Sequence, residues 1–310
     1  GTVALAEAVG LGRLASELAP LVDAKLVAEP IEDLRLDFED GYGARPDAEE
    51  DADAVLAAER VAAAVAAGVA PPFIGIRFKC FEAPTRRRGI RTLDLFLTTL
   101  AGLGPLPAGL VLTLPKVTTV AQVEAMVSLC ERFEERLGLP AGRLRFEVQM
   151  ETPQLIVAAD GSVPVATLLH RANGRVSALH YGTYDYSASL QIAAAYQSME
   201  HPAADFAKQV MQVAVAETGV RISDGSTNVI PVGDPEHVIE AWKLHARLVR
   251  RSLERGYYQG WDLHAAQLPT RYLATYAFYR EGFAAAAKRL DNYLHGSDAT
   301  IMDEPATARA

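Results

Sequence analysis

The sequence reads RLRFEVQMET at residues 143–152 and VSALHYGTYD at residues 176–185. Apolar residues alternate with polar ones in RLRFEVQM, and the second stretch begins with the more apolar run VSALHYG, so both are typical of strands. A carboxylate follows each strand, Glu151 in the first stretch and Asp185 in the second. Such a group at the end of a buried strand needs a partner that offsets its lost hydration. Two of them suggest one shared cation.

Short β-like runs alternate with longer helical patterns along most of the chain, which indicates βαβ units around a parallel sheet. Strands are predicted at residues 32–38, 73–78, 109–115, 144–150, 176–181, 220–223 and 261–264, and the clearest helices at 48–67, 118–137 and 235–255. Seven strands are one short of a (β/α)8 barrel. The first forty residues carry helical patterns at 3–18 and 21–28, so we expect the first barrel strand upstream of Gly1 or missing from this chain.

The predicted domain organisation is one α/β barrel followed by helix. Residues 1–268 would form a TIM-barrel catalytic domain that is incomplete at its N-terminus. Residues 269–295 would form a C-terminal helical extension, whose aromatic side chains suit packing on the barrel end or on a neighbouring subunit. Residues 296–310 would form a flexible tail.

Composition excludes several classes of protein. The net charge of −9 over 310 residues argues against a nucleic-acid partner and against binding to an anionic membrane. Cys80 and Cys130 are the only cysteines and have no metal-ligand spacing, which fits a reducing cytoplasm. The most apolar stretch, residues 61–76, is too short to cross a bilayer.

Polar residues recur where the predicted strands end, which is where a barrel builds its active site. One such residue alone is more often a loop residue or a helix cap. Seven strands that end in this way predict a site at the carboxyl edge of the sheet. The residues are Asp37, Glu39, Asp40, Arg77, Lys116, Glu151, Asp185, Asp224 and His264.

The order of these strand ends resembles a known family. The motifs are LDFED at 36–40, IRFK at 76–79, LPKV at 114–117, METP at 150–153, HYGTYD at 180–185 and WDLHAAQ at 261–267. They are similar to those of the citrate lyase β-subunit-like enzymes, which belong with malyl-CoA lyase and the HpcH/HpaI aldolases in the pyruvate/phosphoenolpyruvate barrel superfamily. The resemblance covers residues 32–267, and its specificity comes from the order and spacing of the motifs.

The resemblance implies a metal site. Glu151 and Asp185 match the glutamate and aspartate that hold Mg²⁺ in the family, with Mn²⁺ as the alternative ion. A hard cation on two carboxylates, with positions left for substrate oxygens, is what magnesium prefers. Arg77 matches the family arginine and would stabilise the developing negative charge, although a structural pair with a nearby carboxylate is the alternative.

Other residues at the strand ends are predicted to support the site. By resemblance, Glu39 and Asp40 would orient waters and the arginine, whereas Asp37 would be structural. Lys116 would either neutralise these carboxylates or contact substrate. We expect His264 to pack at the last strand end rather than act as a base. Substrate contacts, with loop packing as the alternative, are predicted for Gly182, Thr183 and Tyr184.

Some positions depart from the family pattern. Lys79 replaces the asparagine expected two residues after the arginine, and Gly41, Tyr42 and Gly43 change the loop after LDFED. Arg86, Arg87, Arg88 and Arg91 form the only basic cluster suited to the phosphates of coenzyme A, with a solvated basic loop as the alternative. A free hydroxy acid is thus as good a substrate candidate as a CoA thioester.

The leading hypothesis is a Mg²⁺-dependent carbon–carbon lyase or aldolase. It would cleave a hydroxy acid or a hydroxyacyl-CoA through a metal-bound enolate of a 2-oxo acid. The alternatives are an acyl-CoA thioester hydrolase on the same metal site and a non-catalytic subunit that binds an acyl group or a small acid. Relatives of this kind assemble as trimers or hexamers, so we expect a homo-oligomer.

Overall fold

The computed structural model describes residues 1–296 and 304–309, which group into two compact units. The helical unit contains Gly1–Ala28, Asn228–Gly256 and Asp262–Ala310. The sheet unit contains Glu29–Thr227 and Tyr257–Trp261. This grouping follows contacts within the chain, and the predicted domain division at residue 268 stays a prediction.

The sheet unit has seven parallel strands whose order in the sheet is their order in the chain. They are β1 Asp33–Asp37, β2 Phe73–Arg77, β3 Leu110–Leu114, β4 Phe146–Met150, β5 Val176–Tyr181, β6 Arg221–Asp224 and β7 Gln259–Gly260. Sequential parallel pairing with helical crossovers confirms the predicted α/β barrel class. Among the described residues β1 and β7 are the edges of the sheet, and a further strand before β1 stays a prediction.

Twelve α-helices lie in the described parts of the chain. They are α1 Thr2–Ala8, α2 Ala15–Ala28, α3 Asp47–Ala66, α4 Arg86–Leu103, α5 Val120–Leu137, α6 Pro153–Ile156, α7 Pro164–Arg171, α8 Thr183–Ser189, α9 Pro202–Val215, α10 Pro235–Glu254, α11 Leu268–His295 and α12 Pro305–Arg309. None of these helices is long and apolar enough to cross a membrane.

Two predicted elements need correction. The last strand was predicted at 261–264, but β7 is Gln259–Gly260, and the segment after it turns into a short helical turn that His264 caps by accepting the Ala266 N–H on Nδ1. The stretch with Arg86 to Arg91 is the first part of α4 rather than a loop. Its apolar side chains Leu93, Phe96, Leu97 and Leu100 recur at helical spacing and are buried, which outweighs the run of arginines at the start.

The core of the sheet unit lies on both faces of the central strands. Every residue of β3, β4 and β5 is buried, as expected of parallel strands covered by crossover helices. Gly75 allows β2 to lie close to β3, since a Cβ there would lie 1.6 Å from the Val111 carbonyl oxygen. The tight packing fixes where each strand ends, and therefore where the residues that follow it lie.

The helical unit has its own small core. Leu18 and Val22 of α2 pack with Tyr272, Leu273 and Ala277 of α11. The second half of α11 is exposed, including Tyr279 at 53% and Phe283 at 69%. Residues 269–295 lie in α11, and their role as an extension of the barrel stays a prediction. The predicted tail at 296–310 falls largely on residues outside the described ones, apart from Gly296 and 304–309.

One buried ion pair joins the strands that carry the two predicted metal ligands. Arg175, just before β5, donates to both carboxylate oxygens of Glu134 on α5, at 2.7 and 2.8 Å. Glu134 also accepts the backbone N–H groups of Gly142 and Leu144, ahead of β4. Burial would raise the pKa of Glu134, but the hydrogen bonds from Arg175 and the backbone lower it overall.

We expect Glu134→Gln to cost about 3 kcal/mol of unfolding free energy, because it leaves the buried Arg175 charge without its partner. The depressed pKa means that this stabilisation is present above the unfolded-state pKa and is lost as pH falls through the folded-state value. Urea unfolding at pH 7 and in acid should show the difference between wild type and variant shrinking in acid. Asp94→Asn, which breaks the exposed pair with Arg136, is the control and should cost at most about 1 kcal/mol.

Candidate active site

The predicted site residues meet at the carboxyl edge of the sheet. Asp37 and Arg77 are the last residues of β1 and β2, and Glu151 directly follows β4. Lys116 lies two residues beyond β3, and Asp185 lies in the first turn of α8, shortly after β5. Because the strands are parallel and in chain order, residues far apart in sequence become neighbours at one edge.

Lys116 joins both predicted metal ligands. Its backbone N–H donates to Glu151 Oε2 at 2.8 Å, and its Nζ donates to Asp185 Oδ2 at 2.5 Å. The same Nζ donates to Asp40 Oδ2 at 2.9 Å and lies 3.5 Å from Glu39 Oε1. Lys116 has a left-handed backbone with φ of 48°, which is unfavourable for a residue with a Cβ. The contacts of both its backbone and its side chain with carboxylates offset that cost.

The site carries more negative than positive charge. Three carboxyl groups, those of Glu39, Asp40 and Asp185, lie 3.5, 2.9 and 2.5 Å from Lys116 Nζ. A fourth, that of Glu151, accepts the Lys116 backbone N–H. Burial raises the pKa of Glu151 to about 7, with a further rise from Asp185 and an opposing effect of Lys116. Burial likewise raises the pKa of Glu39 to about 7, against the lowering effect of Lys116. An additional cation would relieve this repulsion.

The donors fit a magnesium ion in part. Carboxylate oxygens are hard ligands, and Mg²⁺ commonly takes one or two of them and keeps water or substrate in its other positions. Within residues 1–296 and 304–309, no group of three or more His, Cys, Asp or Glu side chains is arranged to hold a metal by itself. The Lys116 ammonium already contacts Asp185, so a metal ion there would compete with it. Glu151 and Asp185 are the pair that would hold the ion.

Arg77 is held mainly by Asp37. Its Nε and Nη2 donate to the two Asp37 oxygens at 2.7 and 2.6 Å, and Nη1 donates to Gln149 Oε1 at 3.3 Å. Nη1 also lies 3.7 Å from Glu39 Oε2. Burial would lower the pKa of Arg77, but Asp37 raises it overall, so the guanidinium stays charged. Arg77 therefore has the structural pair with Asp37, and its Nη1 edge faces the carboxylate cluster.

The three residues predicted to contact substrate lie at the start of α8. The backbone of Gly182 packs closely against the Glu151 side chain, since a Cβ at Gly182 would lie 2.2 Å from Glu151 Cγ. Thr183 is buried, and the Thr183 and Tyr184 hydroxyls each lie 3.4 Å from the Ser226 carbonyl oxygen. These contacts agree with loop packing for Thr183. Substrate binding by Gly182, Thr183 and Tyr184 stays a prediction.

Other strand-end residues form structural contacts. Asp224 accepts from the buried Lys208 Nζ at 2.9 and 3.1 Å. Lys79, which replaces the family asparagine, donates to Glu50 at 2.6 Å and to the Phe38 carbonyl at 2.9 Å. These bonds connect the end of β1 to α3. They hold the segment from which Glu39 and Asp40 project.

The basic cluster at the start of α4 is partly neutralised. Arg88 and Arg91 both pair with Asp51 on α3. Arg86 and Arg87 make no ion pair with any residue that the structure describes. The positive charge left for a phosphate-bearing ligand is therefore smaller than the sequence predicts.

Several polar residues inside the sheet were not predicted to matter. Glu147 and Gln149 precede Glu151 at intervals of two along β4, so all three lie on one face of the strand. His180 on β5 and Trp261 after β7 contact this interior layer. The period-two spacing of polar residues in EVQME was a sequence signal that could have identified Glu147 and Gln149. Nothing local in the sequence indicates the contribution of Trp261.

A family model described as a domain of unknown function, DUF6986, matches residues 1–310. No curated protein matches the sequence.

Solved structures show a similar fold. A citrate lyase from Burkholderia xenovorans is 21% identical with a TM-score of 0.68, over 94% of this chain and 84% of that one. CitE from Mycobacterium tuberculosis, in complex with magnesium, acetoacetate and coenzyme A, is 17% identical with a TM-score of 0.59, over 92% and 86%. Haloferax volcanii malate synthase, in a magnesium and glyoxylate complex, is 14% identical with a TM-score of 0.56, over 79% and 76%. The predicted resemblance to citrate lyase-like proteins is thus confirmed at the level of fold.

We expect Gly182→Ala to displace Glu151 and to cost about 1–3 kcal/mol of unfolding free energy, because the added methyl group meets a buried side chain. The backbone φ of −97° suits any residue, so the cost would come from the contact alone. Urea unfolding measures the change. Gly102→Ala is the matched control, since a Cβ there has open space on a helix and should be neutral or stabilising. Equal stability of the two variants would contradict the close contact.

Proposed function

This chain belongs to the DUF6986 family of domains of unknown function, and we propose that it is a Mg²⁺-dependent carbon–carbon lyase or aldolase. The observation that carries the proposal is the position of Lys116. This one residue draws Glu151 and Asp185 together at the carboxyl edge of the sheet, beside Arg77 and two further carboxylates. Excess carboxylate beside a fixed guanidinium suits a divalent ion and an anionic substrate.

The substrate we propose is a hydroxy acid that yields a 2-oxo acid on cleavage. Bound Mg²⁺ would supply a Lewis acid for the oxygens of that fragment. In the cleavage, the substrate hydroxyl gives up its proton and becomes a carbonyl, while the carbon–carbon bond breaks. The electron pair of that bond passes to the 2-oxo acid fragment, which leaves as its enolate and is then protonated at carbon.

The chain's own residues would serve this reaction in three ways. Arg77, fixed by Asp37, would offer its Nη1 edge to a substrate carboxylate or to developing negative charge. Glu39, whose pKa burial raises to about 7, is suited to exchange a proton near neutral pH. Lys116 would keep the carboxylates close together when substrate leaves.

A CoA thioester is the second substrate candidate. It is favoured because the M. tuberculosis protein of similar fold was crystallised with coenzyme A. Pairing of Arg88 and Arg91 with Asp51 favours the free acid instead. A thioester hydrolase or a non-catalytic binding subunit would lack carbon–carbon cleavage. The cytoplasmic location and the homo-oligomeric state remain predictions.

The activity test is a cleavage screen over hydroxy acids and their CoA thioesters, with and without Mg²⁺ or Mn²⁺. Released pyruvate, oxaloacetate or glyoxylate is detected. Loss of a residue that only supports a metal ligand costs about 10–100-fold in activity. We expect Glu151→Gln and Asp185→Asn, which change the ligands themselves, each to lower metal-dependent cleavage by more than that. Both variants should unfold in urea cooperatively, as wild type does. Glu124→Gln, at an exposed carboxylate on α5, is the control and should be fully active.

Unchanged turnover in both ligand variants would contradict the assignment of the metal pair. Thioester hydrolysis without carbon–carbon cleavage would favour the hydrolase. Tight binding of a small acid with no product under either metal ion would favour a binding subunit.

We expect Lys116→Met to bind Mn²⁺ several-fold more tightly than wild type, because the variant removes a cation that competes for Asp185. Isothermal titration calorimetry with Mn²⁺ measures the affinity. Cleavage should fall at the same time if Lys116 also holds substrate or carboxylates in place. Lys243→Met, at an exposed lysine on α10, is the control and should leave metal affinity unchanged. Weaker Mn²⁺ binding by Lys116→Met would show that Lys116 supports the metal site rather than competing with the ion.

A further inference from the structure

A buried hydrogen-bond chain runs across the interior of the sheet unit. Arg35 on β1 donates from Nε to Glu147 Oε1 at 2.7 Å and from Nη2 to Oε2 at 3.0 Å. Thr113 on β3 donates to the same Oε1. His180 Nε2 lies 2.6 Å from Glu147 Oε2, and Trp261 Nε1 donates to His180 Nδ1 at 2.7 Å. These hydrogen bonds therefore connect β1, β3, β4, β5 and the segment after β7.

The contact with Trp261 determines the tautomer of His180. An indole N–H can only donate, so Nδ1 of His180 must be an acceptor without a proton. The ring proton then lies on Nε2, which donates to Glu147. His180 is 6% exposed and Glu147 is 2% exposed, so water does not readily replace either partner. The orientation of the Trp261 ring is thereby tied to a buried carboxylate on another strand.

Glu147 is the fixed acceptor at the centre of these hydrogen bonds. Burial would raise its pKa, but His180 and Arg35 lower it well below the usual value, so the carboxylate stays ionised. Two donors come from Arg35 and one from Thr113, and the remaining one comes from His180. A buried carboxylate with four donors has little freedom to move.

The hydrogen-bond chain ends at Trp261, whose ring contacts Arg77. The Arg77 guanidinium carbon lies 5.4 Å from the centre of the Trp261 ring, which is within the range of a cation–π contact. Asp37 holds the Nε–Nη2 edge of the same guanidinium, and Gln149 accepts from Nη1. Asp37 thus fixes one edge, and the indole ring contributes a contact with the guanidinium group.

We propose that His180 and Trp261 are positioning residues for Arg77. Asp37 holds the Nε–Nη2 edge of the guanidinium, and the hydrogen bond between His180 and Trp261 holds the indole ring whose contact completes the orientation in which Arg77 meets its ligand. The catalytic consequence rests on the proposed function. The orientation of Arg77 is a property of the folded protein and can be measured without any substrate.

Two isosteric variants of His180 each remove one of its two hydrogen bonds, to Glu147 or from Trp261. The side-chain oxygen of Asn can replace Nδ1, so His180→Asn keeps the acceptor for Trp261 and loses the donor to Glu147. The side-chain amide of Gln reaches the position of Nε2, so His180→Gln keeps the donor and loses the acceptor. Both remove the imidazole ring, so a difference between them reports the Trp261 contact rather than general packing.

The first readout is the NMR signal of the Arg77 Nε–H group together with the indole N–H signal of Trp261. The chain has two tryptophans, so Trp242→Phe and Trp261→Phe assign the indole signals, and Arg77→Lys assigns the arginine signal. We expect both signals to move little in His180→Asn, which keeps an acceptor for the indole N–H, and to move much further in His180→Gln, which has lost it. His170→Gln, at an exposed histidine on α7, should move neither.

Two outcomes of this measurement would overturn the proposal. One is an indole signal that moves in His180→Gln while the Arg77 signal stays in place. The other is an Arg77 signal that moves equally in both His180 variants, since the effect would then come from lost packing.

The second readout is binding of oxalate in the presence of Mg²⁺, measured by calorimetry. Oxalate places two adjacent oxygens as the carboxylate and carbonyl of a 2-oxo acid do. We expect wild type and His180→Asn to bind it equally and His180→Gln to bind about 10–100-fold more weakly. Equal binding by all three would overturn a role of His180 in ligand binding. A wild type that binds no oxalate would count against the proposed function, and the NMR comparison would still decide the positioning of Arg77.

Discussion

Charge compensation inside a parallel sheet is the constraint on which this structure depends. The interior of the sheet unit carries carboxylates on β1 and β4, and each must be paired because its hydration is lost. Arg35 reaches from β1 to Glu147 on β4, and Arg77 reaches from β2 to Asp37 on β1. These pairs cross between strands, so they hold the sheet together as well as neutralising charge.

The balance of charge changes along the interior. Around Glu147, donors from Arg35, Thr113 and His180 satisfy the carboxylate completely. At the carboxyl edge, Lys116 and the Nη1 edge of Arg77 face more carboxyl groups than they can neutralise, and burial raises the pKa values of Glu39 and Glu151 to about 7. The Glu147 carboxylate is fully hydrogen-bonded, whereas the carboxyl edge has too little positive charge. A cation or a proton is therefore attracted to that edge. This gradient is the physical basis of the proposed metal site.

Local patterns predicted much of this arrangement and missed specific parts. Apolar runs ending in charge located β1 to β6 to within a few residues, and EVQMET with HYGTYD led to Glu151 and Asp185. The run of arginines at 86–91 hid the start of α4. Burial of Phe96 and its neighbours stabilises the helix by more than the arginines destabilise it through mutual repulsion, and two of those arginines pair with Asp51. β7 was misplaced because a two-residue strand leaves almost no periodic signal.

The sequence by itself determined the alternation of strands and helices, the class of fold and the set of charged residues at strand ends, since these follow from local periodicity and chain order. Only the tertiary structure decided which charges meet. Lys116 contacts Asp40, Glu151 and Asp185 across as many as 76 positions of sequence, and Trp261 reaches His180 across 81. Such pairings depend on sheet register and on the conformation of single residues, such as the left-handed backbone of Lys116, which no local pattern specifies.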